Sequence, residues 1–189
     1  GVSSAFLLFG LSYIYGMTGS LEIRVIMSYF ATMPVLPPLL LTGWLLMLVG
    51  LGFKIAAAPF HAWAPDVYQN APTPAAAWIA TGSKIAAIVL LVTLLKPVIE
   101  APEESTLRLS LGVALSGLAV VAMIGGNLAA LRQTNLKRLL AYSAIANAGY
   151  ILVAVVAFND DGRAAAVFYA VVYAIATLGV FAVVAVISD

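Results

Sequence analysis

Long apolar runs separated by short polar segments make up almost the whole chain. A helix needs about 20 mostly apolar residues to cross a bilayer, and only the first run is clearly shorter than that. The runs are also too long and too continuously apolar for the alternating strands of a membrane β-barrel. The pattern predicts an all-α integral membrane protein, a single bundle of six transmembrane helices at residues 2–17, 38–63, 73–95, 109–131, 139–158 and 164–187.

The polar segments between the runs predict how the helices are oriented. None of them is long enough for a soluble domain, although residues 21–33 can form a short interfacial helix before Pro34. Because successive segments alternate between the two membrane faces, 64–72 and 132–138 lie on one face and the others on the opposite face. The segment 132–138 holds Arg132, Lys137 and Arg138, so the positive-inside rule predicts that it is cytoplasmic.

Composition supports lipid as the solvent and excludes several classes of function. The chain is 63% hydrophobic and 9% charged, whereas soluble domains carry about 25% charged residues. A net charge of +1 gives no basic surface for nucleic acid. Without cysteine, and with His61 as the one histidine, we expect no metal site and no haem or iron–sulfur ligands. The first residue already lies within an apolar run, so we expect the chain to be part of a longer protein.

Two lysines, Lys54 and Lys84, lie well inside apolar runs. A charged side chain at a helix centre costs about 2.5–3.5 kcal/mol on insertion scales, so an acidic partner, a water-filled cavity or loss of the proton must offset it. A lysine held in that way can take up and release protons near neutral pH. Our hypothesis is a proton relay through both lysines. The alternative is that each lysine stays neutral, or pairs once and never switches.

Pro59 follows Lys54 by five residues and predicts a helix break beside it. Proline has no amide hydrogen, so the carbonyl of Ile55 loses its usual donor. A discontinuous helix beside a charged residue recurs in the ion sites of transporters, although a packing kink explains the proline equally well. His61 and Asp66 follow the break, and they are either proton uptake groups for Lys54 or ordinary interfacial residues.

Other polar side chains within the later runs can hold water or bond across helices. Tyr142 and Asn147 are of this kind, and we include them among the candidate relay groups. Hydrogen bonding to a neighbouring helix accounts for each of them without any function.

Two ordered blocks of sequence resemble one known family. They are residues 52–85, with Gly-Phe-Lys-Ile-Ala-Ala-Ala-Pro-Phe-His-Ala-Trp-Ala-Pro-Asp-Val-Tyr, Ala-Pro-Thr-Pro and Gly-Ser-Lys-Ile, and residues 126–145, with Gly-Asn-Leu-Ala-Ala-Leu-Arg-Gln-Thr-Asn-Leu-Lys-Arg-Leu-Leu-Ala-Tyr-Ser-Ala-Ile. The chain resembles the N-type antiporter-like membrane subunits of respiratory complex I over essentially its whole length.

The resemblance implies a larger antiporter-like fold, of which this chain would be the sixth through the eleventh helix. It implies that Lys54 and Lys84 are the lysines of the broken seventh and the eighth helix, on a polar axis that relays protons. The acidic partner of Lys54 would then precede Gly1. Asn147 stands where many relatives carry a histidine; an amide does not titrate as histidine does, which places a proton shuttle there in doubt.

The resemblance also implies partners, cofactors and a location. The partners would be the other membrane and peripheral subunits of the complex, together with the lipid bilayer. NADH, flavin, iron–sulfur clusters and quinone would belong to those partner subunits, and the membrane would be an energy-transducing one, in a bacterium the plasma membrane. Three alternatives remain: a subunit of a multi-subunit cation/proton antiporter, the membrane arm of a hydrogenase-type pump, and a membrane scaffold without a catalytic role.

Overall fold

The chain is a helical bundle. The structure, a computed structural model, describes residues 1–32 and 37–188, and this part of the chain contains no β-strand. The all-α prediction is therefore confirmed. The elements are α1 (Val2–Thr18), α2 (Ile23–Thr32), α3 (Pro38–Ile55), α4 (Trp63–Asn70), α5 (Thr73–Trp78), a π-helical segment (Ile79–Ser83), α6 (Lys84–Leu94), α7 (Lys96–Ile99), α8 (Thr106–Ala130), α9 (Leu136–Val156) and α10 (Asp160–Ser188).

Five helical stretches of the described chain are long and apolar enough to cross a membrane, and a bent pair brings the number to six. The pair is Val2–Thr18 and Ile23–Tyr29, which meet at 56°. The expectation of about six membrane helices is confirmed. The second member of the pair, α2, lies where the short interfacial helix was predicted; the predicted end of that helix at residues 33–34 lies outside the described residues.

The last three helices begin three or four residues before the predicted starts at 109, 139 and 164. In each case a polar side chain just before the helix accepts a backbone N–H of the first turn. Ser105 accepts from Arg108 at 3.3 Å, Asn135 from Arg138 at 3.1 Å and Asn159 from Gly162 at 2.7 Å. Because these caps precede charged first turns, a search for apolar runs misses them.

A second difference concerns the run predicted at 38–63 and the connecting segment predicted at 64–72. Helix α3 ends at Ile55, and a separate helix, α4, covers most of the supposed connection. Asp66 and Asn70 lower the hydropathy of α4, but its other side is apolar and buries Ala64, Pro65 and Tyr68. The polar residues therefore mark the outer face of a packed helix.

Small residues bring two pairs of helices into close contact. Gly50 of α3 lies against α1, where an added Cβ would be 2.8 Å from the Leu7 nitrogen. Gly126 of α8 lies against α9 in the same way, as does Gly149 of α9 against α8. Without a hydrophobic force between helices in lipid, such close approach supplies the packing energy.

Contacts between the connecting segments fix the two ends of the bundle. At one end Lys137 Nζ donates to the Ala71 carbonyl at 3.2 Å, and Arg138 forms an ion pair with Asp66. At the other end Arg108 donates to the carbonyls of Ile99, Ala101 and Phe158 at 3.2–3.3 Å. Segments 64–72 and 132–138 thus meet at one end, and the segments around 99–108 and 158 meet at the other.

Candidate functional site

Lys84 is buried in the middle of the bundle. Its side chain is 3% exposed, and its Nζ donates to the backbone carbonyl of Ala144 on α9 at 2.6 Å. None of the ion pairs in the described part of the chain includes Lys84. A backbone carbonyl is a dipole with no formal charge, so it offsets part of the cost of burying the amine without fixing it as a permanent ion pair.

An aromatic ring covers a second side of the same amine. Lys84 Nζ lies 5.5 Å from the centroid of the Tyr173 ring, which belongs to α10. An ammonium within about 6 Å of an aromatic centroid is attracted by the negative face of the ring. The amine of Lys84 is therefore held between α9 and α10 by groups that favour its charged form and that carry no counter-charge of their own.

The backbone immediately before Lys84 is a π-helical segment, Ile79–Ser83. Within it the Thr81 hydroxyl donates to the Ala77 carbonyl at 2.7 Å, and Gly82 gives room to the Trp78 ring. Single turns of π-helix are rare and frequently lie at functional sites. The sequence gives no signal of this segment, because its Thr-Gly-Ser run is short and lies inside an apolar stretch.

Lys54 differs from Lys84, since its side chain is exposed on the surface of the chain. The structure records no hydrogen bond or ion pair of its side chain with any described residue. Its neighbours Leu51 and Ile55 are each 1% exposed, so α3 buries the side that carries them. The described helices therefore enclose Lys84 and leave Lys54 exposed, although both lysines lie inside apolar runs.

The predicted helix break is confirmed, and it begins before Pro59. Helix α3 ends at Ile55, and Ala56 takes a left-handed conformation with φ of 57°. The Ala57 N–H then donates to the Gly52 carbonyl at 2.8 Å, and the Trp63 indole N–H donates to the Phe53 carbonyl at 2.9 Å. The indole N–H thus supplies a donor to the Phe53 carbonyl, whose helical donor, the Ala57 N–H, has turned to Gly52; a membrane interior requires such a replacement.

His61 and Asp66, the two candidate uptake groups, both face α9. The His61 ring lies 6.5 Å from the Tyr142 ring, measured between centroids. Asp66 forms an ion pair with Arg138, whose guanidinium also interacts with Tyr142. A line of polar side chains therefore runs from the end of the bundle near Asp66 to His61. Among the described residues, no hydrogen bond or ion pair is recorded between either of them and Lys54.

Asn147 bonds within α9 and to α10. Its Nδ2 donates to the Ser143 carbonyl at 2.9 Å, and its Oδ1 accepts from the Tyr169 hydroxyl at 2.7 Å. Asn147 lies one turn beyond Ala144, the acceptor of Lys84. The sequence does not identify Tyr169 or Tyr173 as site residues, because a tyrosine in an apolar helix does not show which residues of other helices it contacts.

A search against protein families gives one match to the entire chain. Residues 1–189 match the family described as the transmembrane domain of NADH:quinone oxidoreductase and the Mrp antiporter. The chain belongs to this family. The resemblance found in the sequence is confirmed.

Two curated relatives of this antiporter-like chain are N subunits of NADH-quinone oxidoreductases. The chain is 46% identical over 189 residues to NADH-quinone oxidoreductase subunit N of Desulforamulus reducens, covering 100% of this chain and 38% of that protein. It is also 46% identical to subunit N of Halorhodospira halophila, covering 99% of this chain and 37% of the relative. The antiporter-like chain thus spans little more than a third of the length of these relatives.

Solved structures of the same fold come from two respiratory complexes. A chain of respiratory complex I from Thermus thermophilus with bound aureothin is 42% identical, with a TM-score of 0.76 over 97% of this chain and 37% of that one. A chain of the membrane-bound sulfane sulfur reductase, an archaeal respiratory membrane complex, is 30% identical, with a TM-score of 0.81 over 96% of this chain and 36% of that one.

Proposed function

We propose that this chain is the central part of a proton-translocating membrane subunit of an NADH:quinone oxidoreductase. The observation that carries the proposal is the enclosed amine of Lys84, which has a carbonyl and an aromatic ring as partners and no ion pair among the described residues. The names of the relatives supply the class of complex. An amine held in this way can accept a proton from one side of the site and release it to the other.

In the proposed mechanism the chain only moves protons. An N–H bond of the Lys84 ammonium breaks as the proton bonds to a neighbouring water or base, and the neutral amine then takes a proton from a second donor, so only bonds to hydrogen are made or broken. Lys54, at the helix break, faces outward and exchanges protons with groups in the rest of the subunit. NADH, flavin, iron–sulfur clusters and quinone are held by partner subunits, whose quinone reduction supplies the energy.

Uptake occurs, in this proposal, at the end of the bundle where Asp66 pairs with Arg138. Tyr142 and His61 lie next along the line of polar side chains, and Asn147 lies one turn beyond the acceptor of Lys84. The basic segment 132–138 lies at the same end, and we assign that end to the cytoplasm of a bacterial plasma membrane by the positive-inside rule.

The test is Lys84→Met in the full-length subunit, within the assembled complex in proteoliposomes. Proton pumping and NADH–quinone reductase activity are measured together. We expect pumping per NADH to fall tenfold or more, because a positioned proton-transfer group contributes roughly 10²–10⁴-fold. Lys54→Met should lower pumping as well. Unchanged pumping in both variants would remove the relay assignment.

Lys96→Met is the matched control. Lys96 is a half-exposed lysine that forms an ion pair with Glu100 at 3.7 Å, near the end of the bundle. Exposed pairs of this kind contribute roughly 0–1 kcal/mol, so pumping and reductase activity should stay unchanged.

A second candidate function is a subunit of a cation/proton antiporter. The family description names the Mrp antiporter, which is the observation that favours it. Sodium-dependent proton exchange in vesicles without NADH would support it over the first proposal. A pure scaffold would instead give a Lys54→Met/Lys84→Met double variant that assembles poorly yet pumps normally once assembled.

A further inference from the structure

We propose that Tyr173 is a positioning residue for Lys84: the Tyr173 ring holds the ammonium form of the Lys84 amine against α10. The proposal rests on the function proposed above and adds to it a residue that controls how firmly Lys84 keeps its proton. A neutral amine carries no charge for the ring to attract, so the contact distinguishes the two protonation states.

The geometry sets Tyr173 and Ala144 around one nitrogen atom. The Tyr173 centroid lies 5.5 Å from Lys84 Nζ, and the Ala144 carbonyl oxygen lies 2.6 Å from the same atom. The two groups come from different helices, α10 and α9, which pack against each other; α10 also packs against the segment that carries Lys84, and α9 reaches it through the Ala144 carbonyl. Loss of the proton removes the attraction to the ring and weakens the hydrogen bond to the carbonyl, which a neutral amine can still donate.

The surroundings of Tyr173 along α10 support a polar role. The neighbouring residues Val171, Val172 and Ile175 are 41%, 49% and 67% exposed, so the outward face of this stretch is aliphatic. Tyr173 instead packs toward the bundle, and its hydroxyl interacts with Thr177, which is 7% exposed. An aliphatic side chain at this position would be enough for packing. The tyrosine, whose hydroxyl interacts with Thr177, adds an aromatic face beside the Lys84 amine.

Other titratable groups near Lys84 offer no competing negative charge. Tyr68 of α4, Tyr142 of α9 and Tyr169 of α10 are the tyrosines packed around this part of the bundle, and His61 faces Tyr142. On α3, Lys54 is exposed. Among the described residues no carboxylate forms an ion pair with Lys84. Among these side chains, the ring of Tyr173 is the one that lies close enough to the amine to respond to its charge.

The experiment compares Tyr173→Leu, Tyr173→Met and Tyr173→Phe in the full-length subunit of the assembled complex. Proton pumping per NADH is recorded across pH, with reductase activity measured alongside. In the leucine and methionine variants, loss of the ring should move the pH profile of pumping about one unit toward acid, the displacement that a tenfold weaker hold on the proton gives. Phenylalanine keeps the ring face and should restore the original profile.

Phe168→Leu and Lys84→Met are run beside them. Phe168 is an aromatic residue of the same helix that is 72% exposed, so its loss should leave the profile unchanged. The proposal is overturned if the leucine and methionine variants pump with the original profile while Lys84→Met is impaired, an outcome that leaves the proposed function intact. It is also overturned if neither variant assembles, since the ring then serves packing. Normal pumping by Lys84→Met would instead overturn the proposed function itself.

Discussion

Gly126 marks a close approach of α8 and α9. A Cβ atom built on it would lie 2.6 Å from the backbone nitrogen of Ala146 and 3.0 Å from its Cα, and neither atom can move without separating the helices. The adjacent Gly125 meets nothing within 4 Å. Of these two neighbouring glycines, Gly126 has no room for a side chain and Gly125 has open space, so substitutions at the two positions can be compared directly.

We predict that Gly126→Ala destabilises the protein and that Gly125→Ala does not. Overpacking costs roughly 1–3 kcal/mol, whereas alanine in an exposed helix position is favoured over glycine by about 1 kcal/mol. Thermal unfolding of the full-length subunit in detergent should show a lower midpoint for Gly126→Ala and an unchanged or higher one for Gly125→Ala. Equal midpoints in the two variants would contradict the packing described here.

At the level of single residues, the sequence predicts how deep a side chain lies in the membrane but not whether it points toward the bundle or away from it. It placed Lys54 and Lys84 inside apolar runs on the same grounds, yet only Lys84 is enclosed by the described helices. Both runs are apolar on all sides, so they have no polar stripe that would show which face meets protein. The partners of Lys84, a backbone carbonyl and the ring of Tyr173, come from distant parts of the sequence and cannot be read from its own segment.

Among the helical elements, the end of α3 offers a direct test of backbone strain. Ala56 has φ of 57°, a conformation that costs an alanine about 1–2 kcal/mol and glycine almost nothing. Ala57 is the next residue, with no positive φ. The two alanines are 2% and 0% exposed, so a change to glycine removes a buried methyl group in both cases.

We predict that Ala56→Gly is less destabilising than Ala57→Gly by about 1–2 kcal/mol, since only the first relieves strain. The lost methyl group and the added flexibility of the unfolded chain are common to both variants and cancel in the comparison. Chemical denaturation of the full-length subunit in detergent measures the difference. If Ala57→Gly proves the milder change, the helix end is not strained at Ala56.

Hydropathy predicts which membrane helices exist because lipid leaves few alternatives to an apolar helix. It does not locate their ends, since Ser105, Asn135 and Asn159 cap helices whose first turns are polar. It also does not show the π-helical segment Ile79–Ser83, because a change from i−4 to i−5 bonding leaves composition unaltered.

As a whole molecule, the described part of the chain has a largely apolar surface along its membrane-spanning helices. Val113, Leu131 and Val186 are 76%, 84% and 80% exposed, as expected where lipid or other helices of a larger fold lie against them. Lys54 is exposed on the same surface. In the function proposed above, a partner for Lys54 would come from the rest of the subunit.

The orientation of the bundle in the membrane can be tested from the two ends that the connecting segments define. Thr134 lies in the segment with Arg132, Lys137 and Arg138, and Glu104 lies in the segment that Arg108 holds at the opposite end. Both positions are exposed, and the chain has no cysteine, so each can carry a single reactive thiol in a full-length subunit freed of other cysteines.

If the positive-inside rule governs this bundle, a membrane-impermeant thiol reagent should label Thr134→Cys only from the cytoplasmic side and Glu104→Cys only from the other. Asp161→Cys, exposed near the start of α10, should follow Glu104→Cys, since Arg108 links the segments at that end through the carbonyls of Ala101 and Phe158. Labelling of all three from one side would refute the two-ended bundle. If Thr134→Cys is labelled from the outside and the other two from the cytoplasm, the two-ended bundle stands and the cytoplasmic assignment of segment 132–138 is refuted. Proton uptake near Asp66 would then lie on the opposite face of the membrane.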